Sequence, residues 1–216
     1  MAAPTNSSGL YLVLEPGEGA RERLAAALSA APAQAVLVRP RIGGAGDLDA
    51  VRALVEQIQS KGCAALIEDD ARMARTLRAD GVHLTWSAEI GKRYAEARDV
   101  LGNRYIVGAM AGASRHDAME LAEAGADYIG FGLGDAPDGA EAARELRLEH
   151  VAWWAEIFEI PCVGFDVDNA AEAAELIQAG ADFVGLHLRN GSAPGAASDL
   201  VRATLALAGG RNRGDT

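Results

Sequence analysis

Charged and imidazole side chains follow several short apolar runs of this sequence, at the points where strands would end. These side chains are Arg39, Arg41, Glu68, Asp69, His83, His187 and Arg189. Guanidinium groups bind phosphate, carboxylates bind hard divalent cations, and imidazoles move protons or contact anions. If one edge of the fold brings these run ends together, the residue types predict a site for a small phosphorylated metabolite.

Each candidate also has a structural interpretation. Arg39 and Arg41 could be a surface pair flanking Pro40, and Asp69 could cap the helix that follows it. His83 lies inside an apolar run and could be a core histidine. We expect His116 and the Trp153–Trp154 pair to be structural residues of outer helices.

The elements that position these residues are indicated by a repeated phrase. "EAGADYIGFG" (Glu123 to Gly132) returns as "QAGADFVGLH" (Gln178 to His187), with a weaker echo, "RADGVHL", from Arg78 to Leu84. An Ala- and Leu-rich helix ends at a glycine, a short Ala-Asp link follows, and a strand begins. Gly125 and Gly180 should therefore lie just past helix ends, and helices should alternate with parallel strands.

Eight strand-like runs alternate with helical stretches, which predicts a single (β/α)8 TIM barrel, an α/β fold, over residues 10–208. A doubly wound open sheet is the alternative, but "LEPGEGARE" lacks the glycine pattern of a dinucleotide loop. Residues 1–9 and 209–216 are expected to be flexible tails. In a barrel, the carboxyl ends of the strands form the site. The expected strands are "LYLVL", "AVLVR", "CAALI", "GVHL", "YIVGAM", "DYIGFG", "CVGFD" and "DFVGLHL".

Composition excludes several classes of protein. The formal net charge of −11 argues against nucleic acid and anionic membranes as partners, and no run of apolar residues is long enough to cross a membrane. Two cysteines, Cys63 and Cys162, begin apolar runs and are expected to be buried thiols. We therefore expect a cytoplasmic protein, and a homo-oligomer remains open.

Several of these segments resemble thiamine-phosphate synthases and the related thiazole tautomerases. The resemblance is carried by "IEDDARMARTLRADGVHL" (Ile67 to Leu84), by "GADYIGFG", and by "IPCVGFD" with "AELIQAGADFVG", and it spans Leu10 to Leu188. It implies a barrel that joins a pyrimidine methyl diphosphate to a thiazole phosphate and releases pyrophosphate with Mg²⁺. Asp69 would then be a metal ligand, and the six other candidates would bind substrate or phosphate.

This chain departs from the family pattern at several functional positions. The family's Gln-x-Arg-x-Lys becomes Leu37-Val38-Arg39-Pro40-Arg41, and its Asn-Asp becomes Glu68-Asp69. The glycine pair after the seventh strand, which would receive the thiazole phosphate, becomes Asp166-Val167. Further substitutions place Trp86, Ala88, Met110, Gly112 or Ala113, and the loop from Leu133 to Gly139 at family site positions.

These substitutions keep three functions open. The first is an enzyme of the thiamine-phosphate synthase type with eroded motifs and doubtful standard activity. The second is a non-catalytic descendant that binds a ligand or a protein. The third is a different barrel enzyme that uses Asp166 or Asp69 with His83 or His187 as acid–base groups. In each case we expect a phosphate or diphosphate to bind at Arg39 and Arg41, not at Asp166, where a carboxylate repels it.

Overall fold

The computed structural model describes residues 8–40, 48–134 and 139–210, and they form a closed barrel of eight parallel strands. The strands follow chain order around the barrel, and β1 closes it by pairing with β8. The predicted (β/α)8 barrel is confirmed, and the open-sheet alternative is excluded. The strands are β1 Gly9–Leu14, β2 Ala35–Val38, β3 Ala64–Glu68, β4 Gly81–Leu84, β5 Ile106–Met110, β6 Tyr128–Phe131, β7 Cys162–Val167 and β8 Phe183–Leu188.

A helix follows each strand and packs on the outside of the barrel. The helices are α1 Ala20–Ala30, α2 Leu48–Gln59, α3 Ala71–Leu77, α4 Ile90–Leu101, α5 Arg115–Glu123, α6 Ala140–Ile157, α7 Ala170–Ala179 and α8 Pro194–Gly210. The barrel thus begins at Gly9 and continues to Gly210, slightly beyond the predicted 10–208. Most of the predicted tails, residues 1–7 and 211–216, lies outside the described residues. No helix in the described ranges is long and apolar enough to cross a membrane.

Side-chain alternation along the strands separates two cores. On β1, Leu10, Leu12 and Leu14 face the helices, whereas Tyr11 and Val13 face the barrel interior. Parallel strands buried on both faces need apolar residues at nearly every position, which explains the continuous apolar runs of the sequence. The large outer core is mostly aliphatic and Ala-rich, and it includes the buried Trp154 of α6.

Aromatic side chains fill the interior because glycines leave room for them. A Cβ atom on Gly108 would lie 2.0 Å from the Tyr128 ring. A Cβ on Gly130 or Gly185 would come within 2.9 or 2.8 Å of the Phe165 ring. Gly130 and Gly185 occupy the same place in the two copies of the repeated phrase, so both copies supply the space for one ring.

The polar residue of the repeated phrase joins neighbouring strands. Asp80, Asp127 and Asp182, which precede β4, β6 and β8, accept hydrogen bonds from the backbone N–H of Ala65, Val107 and Cys162, at distances of 2.7, 2.7 and 2.9 Å. Gln34, before β2, accepts from Leu10 N in the same way at 2.7 Å. The residue before each even-numbered strand therefore satisfies a backbone donor at the start of the odd-numbered strand beside it.

Helix ends agree with the sequence prediction in most details. Gly125 and Gly180 lie just past α5 and α7 with φ of 91° and 101°, a region that favours glycine. Ser114 caps α5 by accepting from His116 N. The Asp117 carboxylate, in the first turn of α5, accepts a hydrogen bond from the Trp86 indole N–H at 3.0 Å. Cys63 and Cys162 are free, buried thiols, as expected.

Candidate functional site

The barrel mouth at the carboxyl ends of the strands is lined by a layer of inward-facing residues. Strand alternation places five of them two residues beyond inward-facing positions of the interior, because residues two apart share a face. The sixth, Asp166, is turned to the same side by a bulge in β7. We call this set the mouth layer. It comprises Arg39, Glu68, Met110, Gly132, Asp166 and His187.

Arg39 and Glu68 form a half-buried ion pair in the mouth layer, with Arg39 Nε 2.7 Å from Glu68 Oε1. Burial raises the pKa of Glu68, and the neighbouring Arg39 guanidinium opposes that shift. The sequence predicted both residues as ligand-binding groups, and the structure brings them together as partners of each other. Their predicted partner Arg41 lies outside the described residues.

His83 lies below the mouth layer, fully buried in the aromatic interior. Its Nδ1 is 2.9 Å from Tyr128 Oη, and Tyr128 Oη is 2.8 Å from Tyr11 Oη. Burial lowers the pKa of His83 to about 3, so the imidazole is neutral near pH 7. The structure therefore favours the core interpretation of His83 over ligand binding.

His187 and Arg189, at the end of β8, occupy different positions. His187 belongs to the mouth layer, and burial together with Arg39 lowers its pKa. Arg189 lies on the rim, 63% exposed, and pairs with Asp168. In the described residues no hydrogen bond or ion pair joins His83 or His187 to Asp69 or Asp166, so the expected carboxylate–histidine acid–base pairs are not assembled.

Asp69, in the loop after β3, binds the loop after β4. Its carboxylate accepts from Thr85 N at 2.8 Å, from Thr85 Oγ1, and from Arg93 Nη2 at 2.5 Å. Its backbone has φ of 57°, a left-handed conformation that Asp tolerates better than most residues. The helix cap considered for Asp69 belongs to Asp70, which accepts from Met73 N at 2.7 Å.

Both carboxylate oxygens of Asp69 are thus used by protein donors. In residues 8–40, 48–134 and 139–210, no three His, Cys, Asp or Glu side chains come together as a metal site. Mg²⁺ normally binds one or two available carboxylates and keeps several waters. The described residues do not fit the magnesium site that the resemblance implies.

Asp166 and Val167, at the end of β7, point to different sides of the barrel wall. A bulge here adds one residue to β7 against β8, and Asp166 has φ of 58°. The Asp166 carboxylate turns toward the mouth and accepts from Leu133 N at 2.8 Å. Val167 is fully buried in the outer core. Of the two residues, only Asp166 therefore faces the mouth.

Three arginines around this end of the barrel were not predicted from sequence. Arg93 holds Asp69, and the buried Arg147 of α6 donates to the backbone oxygens of Phe165 and Asp166 at 2.6 and 2.9 Å. Arg23 of α1 reaches Asn190 in the loop after β8 at 2.6 Å. All three lie inside helices, so the search of strand ends could not find them, and the sequence carries no separate signal for their contacts.

Known proteins share both this sequence pattern and this fold. A sequence profile of the family described as thiamine monophosphate synthase matches residues 10–187. The chain belongs to that family. It is similar to the thiamine-phosphate synthase of Erythrobacter litoralis, with 37% identity over 193 residues that cover 85% of this chain and 88% of that protein. The corresponding protein of Hyphomonas neptunium is 35% identical over 192 residues, covering 85% of this chain and 86% of that one.

A solved structure supports the fold independently. The thiamine phosphate pyrophosphorylase from Pyrococcus furiosus superposes with a TM-score of 0.72 at 22% identity, covering 95% of this chain and 97% of that one. At 22% identity this structural similarity establishes the barrel fold but not the activity.

Proposed function

We propose that this protein acts in thiamine biosynthesis, binding a phosphorylated thiamine precursor at the barrel mouth and carrying out the joining reaction only slowly. Family membership and the names of its relatives support the pathway. The single observation that supports a slow reaction is the charge of the mouth layer, where the Arg39 cation is paired with Glu68 and the Asp166 carboxylate lies nearby.

The joining reaction places strong demands on such a mouth. When the pyrimidine methyl carbon leaves its diphosphate and bonds to the thiazole nitrogen, negative charge collects on the departing diphosphate. Preorganised cations and N–H donors normally stabilise that charge, and removing one donor costs about 3 to 4 kcal/mol of transition-state stabilisation. Arg39, Arg93 and Arg189 are paired with Glu68, Asp69 and Asp168, so these three cations are already compensated.

Asp166 acts on binding through its charge. It consumes the N–H of Leu133, which could otherwise face a phosphate oxygen, and brings a carboxylate to the same region. A carboxylate about 4 Å from a phosphate oxygen raises the binding free energy by roughly 1 kcal/mol in water, and by more in a drier pocket. The thiazole phosphate should therefore bind weakly.

Asp166→Asn tests this effect, because the amide keeps the shape and the hydrogen-bond acceptor but removes the charge. The sequence comparison suggested glycine at both 166 and 167, but Val167→Gly would open a cavity in the outer core. Asp99→Asn is the matched control, since Asp99 is exposed in the last turn of α4, at the opposite end of the barrel.

The assay is calorimetric titration of thiazole phosphate, followed by measurement of pyrophosphate release with both substrates. We expect Asp166→Asn to bind about five- to tenfold more tightly, roughly 1.0 to 1.4 kcal/mol, and Asp99→Asn to match the wild type. Tight binding and rapid pyrophosphate release by the wild-type protein would contradict the proposal and assign it ordinary synthase activity. If the wild-type protein neither binds thiazole phosphate nor releases pyrophosphate with both substrates, the place in thiamine biosynthesis is wrong.

A further inference from the structure

A pocket of about 400 Å³ opens between the loops that follow β1 and β8. We call it the β1–β8 pocket. It is lined by Gly17, Glu18, Gly19, Arg23, Asn190, Gly191 and Ser192, and none of these residues belongs to the mouth layer. Its volume is at the lower end of the range for small-molecule sites.

Arg23 is a buried cation in this pocket with no carboxylate partner. Its side chain is 1% exposed, and no ion pair within 4.0 Å involves it in the described residues. Nη1 donates to Glu18 O at 2.9 Å and Nη2 donates to Asn190 Oδ1 at 2.6 Å, while Nε has no partner. A buried charge without a counterion is unfavourable, so its presence points to a negative group that completes the site.

A carboxylate, that of Glu15, is linked to Arg23 only indirectly, through the side chain of Asn190. Asn190 Nδ2 donates to Glu15 Oε2 at 2.6 Å, so Glu15 orients the amide whose oxygen accepts from Arg23. Glu15 thus holds Asn190 in place and leaves the guanidinium itself without a counterion. Each Nη nitrogen makes one hydrogen bond and can make a second, which is the arrangement that binds two oxygens of one anion.

The backbone of the pocket is also suited to an anion. Helix α1 begins at Ala20, whose N–H donates to Gly17 O at 3.1 Å, and its N-cap, Gly19, supplies no side-chain acceptor for the next two N–H groups, those of Arg21 and Glu22. The N-terminus of a helix carries partial positive charge that favours an anion. A Cβ on Gly17 or Gly191 would meet no atom within 4 Å, so the space in front of this helix end is open. The carboxylates of Glu18 and of Glu22, in the first turn of α1, oppose an anion, but both side chains are exposed and can turn into solvent.

We propose that the β1–β8 pocket is an oxyanion site that binds a phosphate group through Arg23 and the first turn of α1. The phosphate is either a free ion or the terminal group of a small phosphate ester. The site is separate from the mouth layer and does not depend on the function proposed above. It completes the ion pairing of Arg23, which the described side chains leave open.

Ser192→Asp tests the pocket without touching Arg23, because it adds a carboxylate to the lining. Ser60→Asp is a matched control. Ser192 Oγ donates to Arg189 O at 2.6 Å and Ser60 Oγ donates to Gln57 O at 2.7 Å, each three residues earlier in the chain. Both changes add one charge and remove one such bond, but Ser60 follows α2 at the other end of the barrel.

Inorganic phosphate is titrated calorimetrically into each protein in buffer free of magnesium and phosphate. We expect saturable binding by the wild type, at least tenfold weaker binding by Ser192→Asp, and binding within twofold of the wild type for Ser60→Asp and Asp166→Asn. Arg23→Gln, if folded by circular dichroism, should lose the binding. No saturable binding by the wild type, or equal binding by Ser192→Asp and Ser60→Asp, would overturn the site.

Thiazole phosphate in the same series separates the two sources of phosphate. If Ser192→Asp weakens the binding of both thiazole phosphate and inorganic phosphate, the site takes the phosphate group of an ester. If it weakens only the binding of inorganic phosphate, the site takes the free ion. Failure of the wild type both to bind thiazole phosphate and to release pyrophosphate with both substrates, with phosphate binding intact and sensitive to Ser192→Asp, would reject the thiamine role and keep this site. The two proposals therefore fail on different observations.

Discussion

Asp127 tests why the repeated phrase contains an aspartate. Its carboxylate accepts from Val107 N at 2.7 Å and pairs with Arg98 at 2.5 Å, linking the entry of β6 to the start of β5. We expect Asp127→Ala to destabilise the barrel by about 2 to 3 kcal/mol. Asp127→Asn keeps an acceptor for Val107 N, so it should cost only about 1 kcal/mol.

The magnitude follows from the burial of the groups involved. Val107 is fully buried, and a buried N–H that loses its acceptor costs about 1 to 3 kcal/mol. The ion pair adds at most about 1 kcal/mol, because the Asp127 side chain is 44% exposed and the pair is screened by solvent. Arg98 remains held by the Tyr94 hydroxyl at 2.9 Å and by Tyr105 O at 2.8 Å.

Thermal and urea unfolding of the three proteins measures these differences, with Asp99→Ala as an exposed control expected within about 0.5 kcal/mol of the wild type. For a domain of this size the alanine variant should melt roughly 5 to 10 °C lower. Agreement of calorimetric and van't Hoff enthalpies is needed first, since a barrel of this length can populate intermediates. An alanine variant as stable as the asparagine variant would refute the idea that the backbone acceptor is what matters.

Three further predictions concern the mouth and the interior. Asp69→Asn should lower the melting temperature by several degrees, because it weakens the contacts with Thr85 and Arg93. Mg²⁺ should not change the melting temperature of the wild type. A melting temperature that rises with Mg²⁺ in the wild type but not in the variant would make Asp69 a metal ligand. His83 is neutral in the fold with a pKa of about 3, so the unfolded chain binds more protons below pH 6.5 and stability falls as the pH drops through that range. Between pH 7 and pH 5.5 the free energy of unfolding should fall by about 1 kcal/mol more in the wild type than in His83→Asn, whose amide can still bond to Tyr128. Equal decreases in the two proteins would show that His83 titrates normally. Replacing Arg39 and Arg41 by alanine should abolish the stabilisation by pyrophosphate that persists in Ser192→Asp, in which the β1–β8 pocket is blocked. It should also lower the midpoint without ligand, because the half-buried Glu68 is left unpaired. An unchanged pyrophosphate response in that background would make the arginines a surface pair only.

The sequence by itself determined the order of elements and the residues available at the strand ends. Local patterns sufficed, because the length, flanking glycines and composition of a run such as "YIGF" favour a short buried strand over a helix. The same periodicity of two placed Arg39, Glu68 and His187 on one face of their strands. The candidate list from strand ends therefore contained three of the six mouth-layer residues.

Only the tertiary structure decided what these side chains contact. Arg39 and Glu68 are 29 residues apart, and Arg23 and Asn190 are 167 apart, so their contacts exist only after the strands pair and β1 closes on β8. The sequence offered Asp69 as a metal ligand, and the turn that brings Thr85 and Arg93 to it uses both of its oxygens. A side chain's type fixes what it can bind, but its partner is set by distances between elements that no local pattern contains.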